Sequence, residues 1–134
     1  MSDNRDVIIK YRLGRASEAL EEAVVLWNTA HYNTYVNRLY YACFYAVSAL
    51  LLKNGFTAST HSGTQNLFAQ HFVKSGKVSK EIGQFYYSLF YYRQESDYKD
   101  DYHVDMKVAE PWLMQATEFV RIIAGMAAGD AESD

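Results

Sequence analysis

The chain has a single cysteine, Cys43, and a single proline, Pro111, in 134 residues. One thiol cannot close an intramolecular disulfide, so the fold rests on its core, and a reducing cytoplasm is the expected compartment. Charge of one sign is lacking too: the formal net charge is -3. That excludes a polycationic coat for nucleic acid, and any such contact must come from a few placed groups. The longest apolar run, Ala42 to Leu52, is too short to cross a bilayer and includes Ser48. No N-terminal stretch has the order of a signal peptide, so neither export nor a membrane is expected. There is no glycine-rich phosphate loop, nucleophile elbow or zinc-finger spacing. The histidines His31, His61, His71 and His103 show no two-ligand spacing, so no metal and no cofactor are expected.

With 49% hydrophobic and 22% charged residues, the composition is that of one soluble globular domain. Scarce proline, with glycine mostly between periodic segments, points to long helices with short joints. Apolar residues at helical spacing predict a first helix over 6–27, with Leu13, Ala16, Leu20, Ala23, Val24 and Trp27 inward and Arg12, Arg15, Glu18, Glu21 and Glu22 in solvent. A second helix over 32–53 stops at Asn54-Gly55 and carries a small-residue stripe, Ala42, Ala46 and Ala49. A shorter third covers 62–74, burying Leu67, Phe68, Phe72 and Val73, with Ser62 available as a cap. The fourth begins at the N-cap Ser79 and runs to Tyr98. Its apolar face is Ile82, Phe85, Leu89 and Tyr92, and Tyr87, Phe90 and Tyr91 fill much of the rest, the pattern of a helix covered on two sides. After a polar loop over 99–103, a fifth helix over 105–126 places Val108, Trp112, Ala116, Phe119 and Ile123 in register, kinked at Pro111. The expected fold is all-α, an up-and-down bundle of four long helices and one short one, in a single domain over 1–128. Residues 129–134 are expected to be a disordered acidic tail.

Arg93 continues the apolar stripe of the fourth helix rather than its solvated face. A guanidinium there needs a partner, and Asp97 lies one turn on. By periodicity the pair reads first as a structural ion pair that fixes the helix's packing and second as part of a site. Asn37, Tyr41, Phe44 and Ser48 share a face of the second helix with Arg38 beside them; such residues can stack on a base and hold a phosphate, or serve as core aromatics with polar rims. His61 precedes the third helix, where backbone amides attract anions; a surface histidine beside a cap is the alternative.

Taken in order, Asn37-Arg38-Leu39-Tyr40-Tyr41-Ala42-Cys43-Phe44-Tyr45-Ala46, His61-Ser62-Gly63, Phe68-x3-Phe72-Val73-Lys74-x-Gly76 and Arg93-x3-Asp97-Tyr98 resemble the stand-alone prokaryotic HEPN proteins. The resemblance covers the chain from Arg15 to Arg121. It implies a bundle that pairs as a homodimer through its central helices, with polar residues of both copies meeting in a cleft. It also implies two branches of function. Many HEPN domains are metal-independent ribonucleases, often toxins or defence effectors, in which an arginine is followed four to six residues later by a histidine. Others bind nucleotides or act beside a minimal nucleotidyltransferase in toxin–antitoxin style pairs. Here Arg93 matches the arginine, but Asp97 and Tyr98 stand where the histidine would, and His103 follows ten residues after Arg93.

The expectation is therefore a nucleotide- or RNA-binding homodimer of a toxin–antitoxin-like or defence pair, with a nucleotidyltransferase as protein partner. Arg38, Asn37, Tyr41, Arg93 and Asp97 form its binding set. The alternatives are a ribonuclease in which Tyr98 or His61 replaces the missing histidine beside Arg93, and a non-catalytic protein-interaction module. Metal-independent cleavage needs one group to take the 2'-hydroxyl proton and another to protonate the leaving oxygen. Arginine stabilises phosphorane charge but is a poor proton shuttle.

Overall fold

The computed structural model describes residues 2–99 and 101–129. All regular structure there is helical: α1 (Ser2–Asn28), α2 (Tyr32–Lys53), α3 (His61–Phe68) running into a π-helical stretch (Ala69–Val73), α4 (Lys80–Tyr98), α5 (Met106–Ala109) and α6 (Trp112–Ala128). The all-α bundle is thus as expected, with four long helices and the short α3, plus α5 as one extra turn. No helix is long and apolar enough to cross a membrane among the described residues. The acidic tail expected over 129–134 lies, beyond Gly129, outside them.

α2 is the central element, packing on α1, α3, α4 and α6. Small residues permit the close approach of the two longest helices: Ala16, Ala19 and Ala23 on α1 and Ala42, Ala46 and Ala49 on α2 are all buried. The expected stripe of α1 needs two corrections. Val24 is 42% exposed, and Arg12 and Arg15 do not simply stand in solvent. Arg12 donates to the Ser48 carbonyl at 3.3 Å, and the Arg15 guanidinium lies 5.0 Å from the Tyr45 ring centroid. Both arginines thus reach across to α2 through their guanidinium groups.

α2 ends at Asn54, whose N–H reaches the Leu50 and Leu51 carbonyls, and Gly55 follows with φ 83°. The cap of α3 is Thr60 rather than Ser62: Thr60 Oγ1 accepts from the Gly63 N–H at 2.9 Å. Phe68 and Phe72 are buried as predicted, while Leu67 and Val73 are only partly so. Phe68 meets Tyr86 of α4 edge-on at 5.5 Å and Phe119 of α6 at 6.0 Å. Ser79 caps α4 as predicted, accepting from the Ile82 N–H at 3.2 Å. The buried face of α4, however, is Gly83, Tyr86, Leu89 and Phe90, rotated from the predicted one. Tyr86 takes the central place, and Tyr87 and Tyr91 stand about half exposed, at 48% and 50%. Within one copy, then, α4 is covered on one side only.

The predicted fifth helix is two. Its break lies at Glu110–Pro111, and Val108 is consequently exposed rather than in register. Pro111 removes one N–H, and the freed groups are satisfied by a distant tyrosine. The buried Tyr35 hydroxyl accepts from the Leu113 N–H at 3.1 Å and lies 3.0 Å from the Ala109 carbonyl and 3.2 Å from that of Glu110.

Gly83 sits where α4 crosses the π-helical stretch, and a Cβ there would meet Val73 Cγ2 at 2.7 Å. In an open helix Ala is favoured over Gly by about 1 kcal/mol, but here overlap with a short, branched side chain outweighs it. Gly83→Ala should lower stability in urea unfolding by about 1–2 kcal/mol. In a Val73→Ala background the same change should become neutral or stabilising. A cost that is equal in both backgrounds would show that the Val73 contact is not its cause.

Candidate ligand site around Arg93 and His61

Three helices bring their polar tips together beside the centre of α2. α4 presents Arg93 and Asp97 one turn apart, and Arg93 NH1 donates to Asp97 Oδ2 at 2.7 Å. The arginine side chain is only 15% exposed, against 53% for the aspartate. α2 contributes Tyr40, fully buried, with the Arg93 guanidinium 5.1 Å from its ring centroid. A cation so placed gains about 0.5–2 kcal/mol from the ring quadrupole. Tyr40 also stacks on Tyr86, with ring planes 3° apart and centroids 6.0 Å apart. α3 contributes His61, its first residue, whose Nδ1 lies 2.8 Å from the Tyr40 hydroxyl. Phe44 and Tyr41 pack on the imidazole at 4.5 and 5.7 Å.

Burial decides the protonation states. It pushes the Tyr40 hydroxyl up to about 12, against the opposing pull of Arg93. The Tyr86 hydroxyl is likewise pushed well up, again chiefly by burial. His61 is held below its ordinary value by burial and then by the Arg93 charge, with Asp97 pulling the other way. At neutral pH the imidazole is therefore neutral and the two phenols are protonated, beside the Arg93–Asp97 ion pair. Two polar atoms here are buried without a hydrogen bond of good geometry, Tyr86 Oη and Arg93 Nε. The remaining Arg93 donors and the imidazole face together suit an anionic oxygen acceptor.

The other predicted residues divide. Tyr41 joins the cluster through its edge contact with His61, and Asn37 lines a small cavity of about 10 Å³ together with Arg93. Arg38 is engaged towards α1: it pairs with Glu22 at 3.1 Å, donates to Asn37 Oδ1 and lies over the Tyr41 ring. Tyr98 is 84% exposed and stands apart from the cluster. The segment before α5 does fold back, since Asn33 bonds the Tyr102 carbonyl at 2.7 Å and the Val104 N–H at 3.0 Å. It is Tyr102, however, that shares the Arg93 cavity, while His103 lines a separate cleft with His31. Tyr40 and Tyr86 were not among the predicted residues. The i+4 spacing of Tyr40 and Phe44 on α2 is the signal that would have found the first; Tyr86 gives none beyond its apolar surroundings.

A model of the HEPN domain matches residues 9–126. A UPF0332 protein of Thermotoga maritima is 40% identical over 121 residues, covering 90% of this chain and 92% of its own. A protein of Methanocaldococcus jannaschii named "Putative toxin MJ0142" is 33% identical, covering 79% of this chain and 72% of its own. A UPF0332 protein of Gloeobacter violaceus is 32% identical, covering 82% and 88%. On a match that spans most of the helical bundle and its candidate site, this chain belongs to the HEPN-domain family.

Proposed function

We propose that the chain is a HEPN-type dimer that binds the phosphate of a nucleotide or RNA at Arg93, and that it works in the cytoplasm as one half of a toxin–antitoxin-like or defence pair with a nucleotidyltransferase. The observation that carries the reading is the convergence of a largely buried guanidinium and a neutral imidazole on one buried tyrosine. Arg93 remains charged at any physiological pH, and its contact with Asp97 occupies only NH1. Tyr41 and Phe44 beside His61 offer rings against which a base can stack. The toxin role leans on the name of the Methanocaldococcus relative. The dimer leans on the half-exposed Tyr87 and Tyr91, one turn apart on the outer side of α4.

A second reading, a metal-independent ribonuclease, is favoured by one specific observation. The histidine missing after Arg93 has a spatial counterpart in His61, which reaches the arginine's tyrosine from another helix. Tyr98 is placed less favourably for that task, being exposed at the end of α4.

Arg93→Ala should reduce binding of a short single-stranded RNA or a mononucleotide by about 10–100-fold, the worth of a charge-assisted hydrogen bond, while circular dichroism and size stay unchanged. Loss of the helical signal instead would make Arg93 a structural residue. Cleavage of the same RNA in EDTA, lost in both Arg93→Ala and His61→Ala, would move the reading from binding to catalysis. Light scattering at micromolar concentration should give a dimer, and the double substitution Tyr87→Glu, Tyr91→Glu should convert it to a monomer. A wild-type monomer would remove the pairing through α4.

A further inference from the structure

The hydrogen bond between Tyr40 and His61 has a direction, and the direction decides what His61 can offer a ligand. The Tyr40 hydroxyl has one proton, with two candidate acceptors nearby, His61 Nδ1 and Tyr86 Oη. Nδ1 lies at 2.8 Å. Tyr86 Oη is buried and takes part in no hydrogen bond of good geometry. Arg93 cannot accept, since a guanidinium has donors only. The proton of Tyr40 therefore goes to His61 Nδ1. An imidazole that accepts at Nδ1 while neutral carries its own proton on Nε2.

From this we infer that Tyr40 is a positioning residue that fixes His61 in its Nε2–H form, making the imidazole a hydrogen-bond donor beside Arg93 for a phosphoryl oxygen. The inference rests on the proposed phosphate site for its ligand, but not for its tautomer. The groups facing the ring are Tyr40 and Tyr41 of α2 and Arg93 and Asp97 of α4. Burial and Arg93 oppose a second proton on the ring, and Asp97 is the one group that favours it. Nδ1 is the only ring nitrogen with a partner among the described residues, and the ring is part-exposed, so Nε2 is left for a ligand. Nε2–H and the guanidinium N–H groups make two donors beside the Asp97 carboxylate. They suit an anionic oxygen, and in this state His61 cannot take a proton from a ribose hydroxyl through Nε2.

Long-range nitrogen–proton spectra of the ¹⁵N-histidine-labelled full chain at pH 7.5 read the tautomer directly. Wild type should show Nε2 protonated and Nδ1 as an accepting, pyridine-type nitrogen, and Tyr40→Phe should give a mixture of the two tautomers. Affinity for an eight-nucleotide single-stranded RNA, and for AMP as a free-phosphate probe, should fall about tenfold in Tyr40→Phe, as expected for a lost positioning bond. Tightening by RNA alone would assign the oxygen to a phosphodiester, and equal binding of AMP to a terminal phosphate. A wild-type spectrum with the proton on Nδ1, or one unchanged by Tyr40→Phe, would overturn the assignment. The wild-type spectrum alone decides the tautomer should the variant fail to fold. The expected spectrum with neither probe bound by wild type would overturn the ligand and the phosphate site together, leaving the tautomer standing.

Discussion

Tyr40 lies at the junction of α2, α3 and α4 with no exposed surface, and a phenol in that position constrains everything around it. Its hydroxyl cannot be left unpaired without a desolvation cost of about 1–3 kcal/mol, and its ring must be covered by groups that tolerate a π face. The chain answers with a histidine on the hydroxyl, and with a second tyrosine and a guanidinium over the ring. Each comes from a different turn of the bundle. The requirement to bury one tyrosine thus fixes where α3 begins relative to α2 and holds α4 in the rotation that brings Arg93 inward.

That rotation explains the rest of α4. With Tyr86 stacked on Tyr40, the helix turns Gly83, Leu89 and Phe90 inward and leaves Tyr87 and Tyr91 on the outer side. Gly83 becomes necessary where α4 meets Val73, since any larger residue would collide there. The π-helical stretch just before it shifts the chain by one residue, its i→i+5 bond visible from the Lys74 N–H to the Ala69 carbonyl at 2.9 Å. Packing, the odd helical turn and the site are one arrangement.

Helices were legible in the sequence where the determinants were local. Ser79 and Asn54-Gly55 act within a turn of themselves, and each did what its pattern implied. The Arg93–Asp97 pair was legible for the same reason, at i+4. The break before α6 was not: periodicity runs through it, and the group that stabilises it is Tyr35, more than seventy residues away. The meeting of His61 with Tyr40 escaped in the same way, because two helices must pack before the bond exists. Tyr98 shows the converse. Its adjacency to Asp97 drew attention to it, yet the backbone that holds Asp97 against Arg93 leaves the next side chain in solvent.

Asp97 sets the electrostatics of the site through its pairing with Arg93. Asp97 partly neutralises Arg93 when no ligand is present, and it does so from a side chain more than half exposed. Water competes for the carboxylate, which weakens the pair from that side. The guanidinium is held far more firmly than the carboxylate, by burial and by the Tyr40 ring. A phosphate bound at Arg93, as proposed, would displace the more exposed partner and leave the cation in place. Asp97 balances the largely buried charge and is the member of the pair that water, or such an anion, can reach. An arginine paired with a buried carboxylate would have been locked instead, which is why the exposure of Asp97 matters more to the site than its distance.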